Sequence, residues 1–204
     1  MASFSHTCTG TNRLLIVAVN NPNQDITGVT YNGVAMTQQL APTGAGNLAV
    51  YSLLNPATGS NTVAATGMGG STSVMVIAVS YTGVKQSAFP DSKNNDTTNT
   101  NVRTLATTVV AANCWLINCG AGTVDVSNPV INTNRTNRKS QTNANVPFTP
   151  FALVAGDSNA TVSTGSQSTI FTTTGINSPV CAGVFSLSAE PSPETGTSKM
   201  FSMF

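Results

Sequence analysis

Apolar positions in this chain occur in short runs and in alternation, and no long stretch carries the 3.6-residue period of a helix. Residues 13–19, Arg13-Leu14-Leu15-Ile16-Val17-Ala18-Val19, form a continuous apolar run of strand length, which predicts a strand buried on both faces. Around Asn32-Gly33 the flanks alternate, with Val29 and Tyr31 on one side and Thr30 on the other. Asn-Gly accepts the two positive φ angles of a type I′ turn, whose twist matches that of paired strands. The pattern therefore predicts a hairpin across residues 26–37. Further strands are predicted over 4–9, 48–54, 62–66, 74–81, 105–110, 114–119, 151–155, 169–173 and 180–188, separated by segments rich in Gly, Pro and Asn.

Two long polar stretches, 86–101 and 132–145, read as exposed loops, and loops of that length usually carry contacts. The segment 191–204 opens with Pro191-Ser192-Pro193 and ends with Met200-Phe201-Ser202-Met203-Phe204. It reads as a tail docking on a neighbour or, equally, as a last strand on the chain's own core. No fixed repeat period stands out, which counts against a solenoid. About ten to twelve short strands with turn punctuation predict an all-β fold, a two-sheet antiparallel β-sandwich of jelly-roll type. Residues 1–190 are expected to form it as one domain, since a chain of 204 residues suits an undivided sandwich.

Composition sharpens this. Charged residues make up 7% of the chain, against about 25% in an ordinary soluble domain, so the polar exterior must be built from Thr, Ser, Asn, Gln and Gly. Hydrophobic residues reach 40% with a net charge of +1, a combination that supports a core rather than disorder. So little charge gives copies little mutual repulsion, which favours self-association. The one basic cluster, Arg135, Arg138 and Lys139, falls in a polar stretch and is too small for a phosphate-binding footprint, so no nucleic acid is expected. No run approaches the ~20 apolar residues of a membrane-spanning helix. Residues 1–6 lack the basic and apolar regions of a secretory signal, which points to assembly in the cytoplasm.

Catalytic patterns are sparse. The single histidine, His6, alternates with Phe4 and Cys8 on the first predicted strand, and no Gly-x-Ser-x-Gly elbow presents a serine. Asp25, Asp91, Asp96, Asp125 and Asp157 fall in apparent turns, where Asp commonly bonds its own backbone, and no spacing pairs two of them for glycoside chemistry. Asp91, Asn95 and Asp96 could offer oxygens to calcium but lack the acidic ladder of a calcium loop. Cys8, Cys114, Cys119 and Cys181 are too scattered for a zinc site and read as buried thiols. Cys114 and Cys119 lie five apart on one predicted strand and so face opposite sides. No catalytic, cofactor-binding or metal-binding residue is assigned, no cofactor is expected, and the chain reads as a non-enzyme.

Two stretches, Ser5-His6-Thr7-Cys8-Thr9-Gly10-Thr11-Asn12-Arg13-Leu14-Leu15-Ile16-Val17 and Val29-Thr30-Tyr31-Asn32-Gly33-Val34-Ala35-Met36-Thr37, resemble a β-sandwich module found in bacteriophage structural proteins and bacterial surface proteins. The resemblance continues through Tyr51-Ser52-Leu53-Leu54-Asn55-Pro56-Ala57-Thr58-Gly59 and Ala78-Val79-Ser80-Tyr81-Thr82-Gly83-Val84 and covers roughly the first 85 residues. It rests on turns and core strands, and no catalytic set comes with it. It implies a virion structural protein, a capsid decoration or accessory head protein, assembled in the host cytoplasm and extracellular after release. The implied partners are other virion proteins, above all the major capsid protein, and copies of itself. The alternative is a receptor- or carbohydrate-binding module of a tail fibre or bacterial surface protein.

Overall fold

The structure, a computed structural model, describes residues 1–23, 25–43, 47–67, 74–96, 100–124, 131–143, 150–173 and 180–191. Among them there are sixteen strands and no helix. The first half holds β1 (Ala2–Cys8), β2 (Leu14–Asn20), β3 (Gly28–Tyr31), β4 (Val34–Ala35), β5 (Thr37–Thr43), β6 (Leu48–Leu54), β7 (Gly59–Thr66) and β8 (Met75–Tyr81). The second holds β9 (Lys93–Asp96), β10 (Val102–Val109), β11 (Trp115–Thr123), β12 (Ile131–Thr133), β13 (Thr136–Asn143), β14 (Phe151–Asp157), β15 (Gly165–Thr173) and β16 (Val180–Leu187).

All pairings are antiparallel, and they make four sheets. Sheet I has the order β1-β7-β3-β4, sheet II β5-β6-β2-β8, sheet III β13-β14-β11-β16-β9 and sheet IV β10-β15-β12. Three apolar cores lie between them. Leu15, Val17 and Val19 of β2 join Val29, Tyr31 and Val63 between I and II. Leu116 of β11 joins Leu105, Val154 and Phe171 between III and IV. Leu14, Ile16 and Ala18 of β2 meet Trp115, Ile117 and Cys119 of β11 between II and III. The all-β sandwich class therefore holds, as four stacked layers with II and III inside.

This layering explains the two sequence patterns. Every residue of β2 and of β16 is buried, as strands covered on both faces require. Strand β10, in an outer sheet, alternates exposed and buried along its length. The Asn32-Gly33 hairpin forms as expected, with φ of 50° and 76° at its two central residues and Tyr31 facing Val34 across the pair.

The two halves share one topology. Strand β10 stands in its sheet where β1 does, β11 where β2 does, β12 for β3, β13 for β5, β14 for β6, β15 for β7 and β16 for β8. Local detail repeats as well. Asn12 and Asn113 precede β2 and β11 with φ of 50° and 60°, and Gly59 and Gly165 open β7 and β15 with φ of 85° and 98°. Both β5 and β13 carry a bulge at the same place, between Gln38 and Leu40 and between Asn137 and Lys139. Among the described residues, strands β4 and β9 alone have no counterpart.

The duplication corrects the absence of a repeat expected from the sequence, and compensating substitutions explain why it is hidden there. Val19 and Ala65 of the first half correspond to Gly120 and Phe171 of the second, so bulk has moved from one sheet to its partner. A Cβ on Gly120 would meet the Phe171 ring at 2.7 Å, so the large ring needs the small residue. Where the first half has Val17 the second has Asn118, fully buried with both amide atoms unpaired. Two stretches read as loops are partly strands: β9 lies within 86–101, and β13 occupies most of 132–145.

Because II and III share one core, neither half can unfold alone without exposing the other's inner face. Calorimetry should show a single unfolding transition, and Ile117→Ala should lower the stability of the whole chain by about 2–5 kcal/mol. Two resolved transitions, only one of them shifted, would contradict a shared core.

Candidate functional site

The charged and reactive side chains singled out in the sequence, Asp125 apart, can each be traced to a place. Asp157, expected in a turn, is instead the last residue of β14 and is fully buried. Arg138 of β13 reaches it with a two-pronged pair, Nε to Oδ2 at 2.8 Å and a terminal nitrogen to Oδ1 at 2.9 Å. The Asn159 backbone N–H donates to Oδ1 at 2.8 Å, and the Tyr81 hydroxyl donates to Oδ2 at 3.2 Å. Tyr81 belongs to β8 in sheet II, so this node ties the two halves together across their shared core. Burial, and then the negative charge of Asp157, push the Tyr81 hydroxyl well above its ordinary pKa. The hydrogen bond to Asp157 raises the already high pKa of Arg138, which keeps its charge. Both carboxylate oxygens are engaged, so the node is a clamp rather than a proton donor. Arg138 is thus removed from the basic cluster expected in a polar loop.

The other acids among the described residues are also committed. Asp91 accepts from the Ser188 backbone N–H at 2.9 Å and its hydroxyl at 2.6 Å, with Lys85 at 3.7 Å. Asp96 pairs with the buried guanidinium of Arg103, and Asp25 accepts from the Asn21 amide at 2.8 Å. Asp91, Asn95 and Asp96 do not converge as calcium oxygens: Asp91 turns to β16's end and Asp96 to β10. Among the described residues no three His, Cys, Asp or Glu side chains gather as metal ligands. Asp125 lies outside the described residues.

All four cysteines are buried and unbridged. Cys119 and Cys181 sit in the core between II and III, Cys8 between I and II and Cys114 between III and IV. Cys114 and Cys119 therefore do face opposite sides of sheet III. Burial pushes the Cys119 thiol up to about 12. Such a thiol is protonated at neutral pH and a poor nucleophile.

A concave feature among the described residues holds the histidine. A cleft of about 240 Å³ runs between three strands that each end a sheet: residues 4–6 of β1, 76–78 of β8 and 139–141 of β13 line it. It is smaller than the usual ~300–1,000 Å³ of small-molecule sites. His6 stands in it, with Nε2 3.1 Å from the Ser80 hydroxyl. Burial, and then the positive charge of Lys139, hold its pKa below the ordinary histidine value. The hydroxyl beside it, that of Ser80, belongs to a buried residue, and Cys8 is buried in the I–II core. The sequence pattern does not single out this cleft, because its walls come from three strands far apart in the chain. A second hollow of about 270 Å³ lies across β13, over Ile131 and Val154.

Comparison with known proteins adds no relative: no family model, curated protein or solved structure matches this chain.

Two outcomes follow from the buried thiols and from His6. An alkylating reagent at neutral pH should label no cysteine in the folded chain and all four after denaturation; rapid labelling of the native protein would place a thiol at the surface. Since the folded-state pKa of His6 is depressed, the unfolded chain takes up its proton first as pH falls below about 6.5. Stability should therefore decline from that pH downward, and His6→Gln should flatten this part of the curve in denaturant titrations.

Proposed function

We propose that this chain is a non-enzymatic structural protein of a bacteriophage particle, a capsid decoration or accessory head protein. It binds other virion proteins, the major capsid protein first among them, and copies of itself. The observation that carries this reading is how the chain uses its few charged groups. With only 7% charged residues and a net charge of +1, it commits Asp157, Asp96, Asp91 and their cationic partners to internal contacts. What remains outside is a hydroxyl-and-amide surface over outer sheets I and IV, with little charge to repel a neighbour. Buried thiols and engaged carboxylates suit a part that holds position rather than one that turns over a substrate. Among the described residues the large exposed apolar side chains are Met1, Val34, Val102, Val110 and Ile170, none aromatic, so these residues offer a sugar no stacking platform.

The test is localisation. Antibody raised against the recombinant chain, used for immunogold microscopy on particles from cultures carrying its gene, should decorate heads at many positions. Label confined to the fibre tips would assign the chain to receptor binding instead, and unlabelled particles would end the virion reading.

A further inference from the structure

The duplicated topology sets a strand against the outer edge of one inner sheet and a cleft against the other. In sheet III the edge of β16 pairs with β9, Phe185 facing Lys93 and Ala182 facing Asp96. Tyr81 of β8 and Leu187 of β16 are equivalent, since they face Leu14 and Trp115, themselves equivalent. The β8 counterparts of the β16 residues that pair with β9 are therefore 76–79, and 76–78 form the floor of the cleft described above. The walls correspond too. Strand β9 is flanked by β10, where the Asn94 amide donates to the Ala106 carbonyl at 2.7 Å. On its other side lies β5, where the Lys93 ammonium donates to the Gln39 carbonyl at 2.8 Å. The equivalents of β10 and β5 are β1 and β13, the two walls of the cleft. Burial records the difference: Leu105 and Thr107, beneath β9, are buried, whereas their counterparts Phe4 and His6 are half-buried.

The edge on the cleft floor has none of the devices that keep strands apart. Strand β8 runs seven residues, Met75–Tyr81, without charge or proline and in unbroken register against β2. On its other side, residues 76–80 make no backbone hydrogen bond among the described residues. The neighbouring edges differ. Strands β5 and β13 are bulged, β9 carries Lys93 and Asp96, and β4 is two residues long. A regular, uncharged edge of this length is a template for a further strand.

Charge selects what that strand carries. Lys139 and His6 are the basic groups of the cleft, and no acid is among its lining residues. Lys139 is exposed and stands at the place of Leu40, whose side chain lies over Gly183, the counterpart of Ile77 on the cleft floor. It makes no ion pair among the described residues, whereas Arg138 beside it is taken by Asp157. A second copy does not fit this place through its own β8, because each such edge lies between walls that would strike those of the other. Nor does a described strand of a second copy bring a free acid: Asp25, Asp91, Asp96, Asp157 and Glu190 are all engaged.

We propose that this cleft takes up an extended acidic segment of another protein, which adds to β8 as a fifth strand of sheet II and sets a carboxylate against Lys139. Backbone bonds to β8 supply affinity, Phe4 and Val76 supply apolar contact, and Lys139 supplies the choice of partner. The virion reading stands apart from this one: a particle part can dock through another face, and the cleft can take such a strand in any assembly.

The probe is a set of capped, fluorescent heptapeptides of alternating Thr and Val, carrying Glu, Gln or Lys at each position in turn, added to the full chain. In NMR titrations the best Glu peptide should shift the β8 amides that point away from β2, together with residues 4–6 and 139–141, and leave β11 unmoved. Fluorescence anisotropy at low salt should give it a Kd at least about tenfold below that of the Lys peptide of the same register. Lys139→Glu, a change at an exposed side chain, should reverse that order with the thermal midpoint unchanged. Glu peptides that leave the β8 amides unmoved at millimolar concentration overturn the proposal, as does equal binding of the Glu and Lys sets. Should Lys139→Glu lose its structure, Lys139→Gln takes its place and should bring the two sets within a few-fold of each other; a preserved preference for Glu overturns the role of Lys139. If sedimentation shows the chain alone forming dimers that the Glu peptides dissolve, the occupant is a second copy and the assignment to another protein fails.

Discussion

The contact on which everything else depends is the dry face between sheets II and III. Leu14, Ile16 and Ala18 on one side and Trp115, Ile117 and Cys119 on the other remove the inner faces of both sandwiches from water. Each pair of sheets closes only one of its faces by itself. Sheets II and III have apolar residues on both sides of every central strand, so each needs two covers, and the other half supplies the second. Trp115 and Tyr81 meet edge to face there, with ring centroids 6.5 Å apart, which adds a directional contact to a largely non-directional burial.

Polar groups placed inside such a stack must be satisfied within it, and the Arg138–Asp157–Tyr81 node does so at the boundary between halves. The first half has a neutral version of the same device, with Gln39 donating to the Ser52 hydroxyl at 2.9 Å in the equivalent positions of β5 and β6. One copy thus uses an amide and a hydroxyl where the other uses an ion pair. Beside the charged version, Lys139 lines the cleft together with His6 and its charge helps to lower the histidine's pKa. The same shared geometry accommodates two chemistries because the bulges in β5 and β13 aim the side chain inward at both places.

Legibility in the sequence followed what each strand buries. The run 13–19 and the Asn32-Gly33 hairpin were plain, because continuous burial and paired positive φ angles leave direct marks on residue choice. Strand β13 was read as a loop because its residues are mostly exposed on both faces at the end of sheet III, so no alternation selects apolar side chains. Strand β9, Lys93-Asn94-Asn95-Asp96, is held by side-chain bonds and an ion pair rather than by apolar burial, and looked equally like a loop. Asp157 sits before Ser158-Asn159 in what resembles a turn sequence, and only the fold brings Arg138 to it. The duplication was invisible because Val19 with Ala65 and Gly120 with Phe171 conserve packing while changing every letter. The cleft, assembled from β1, β8 and β13, had no local signature at all.

The crossing at Gly83, Val84, Ala189 and Glu190 has a consequence for what this molecule is as an assembly. Two half-length chains could form the same four layers only by meeting in solution, and such a pair would come apart on dilution. Here the segment between β8 and β9 holds them at a fixed one-to-one ratio and a high effective concentration. The product is a two-faced slab whose outward surfaces, I and IV, are related in plan yet different in residues. Each is free to diverge without cost to the other.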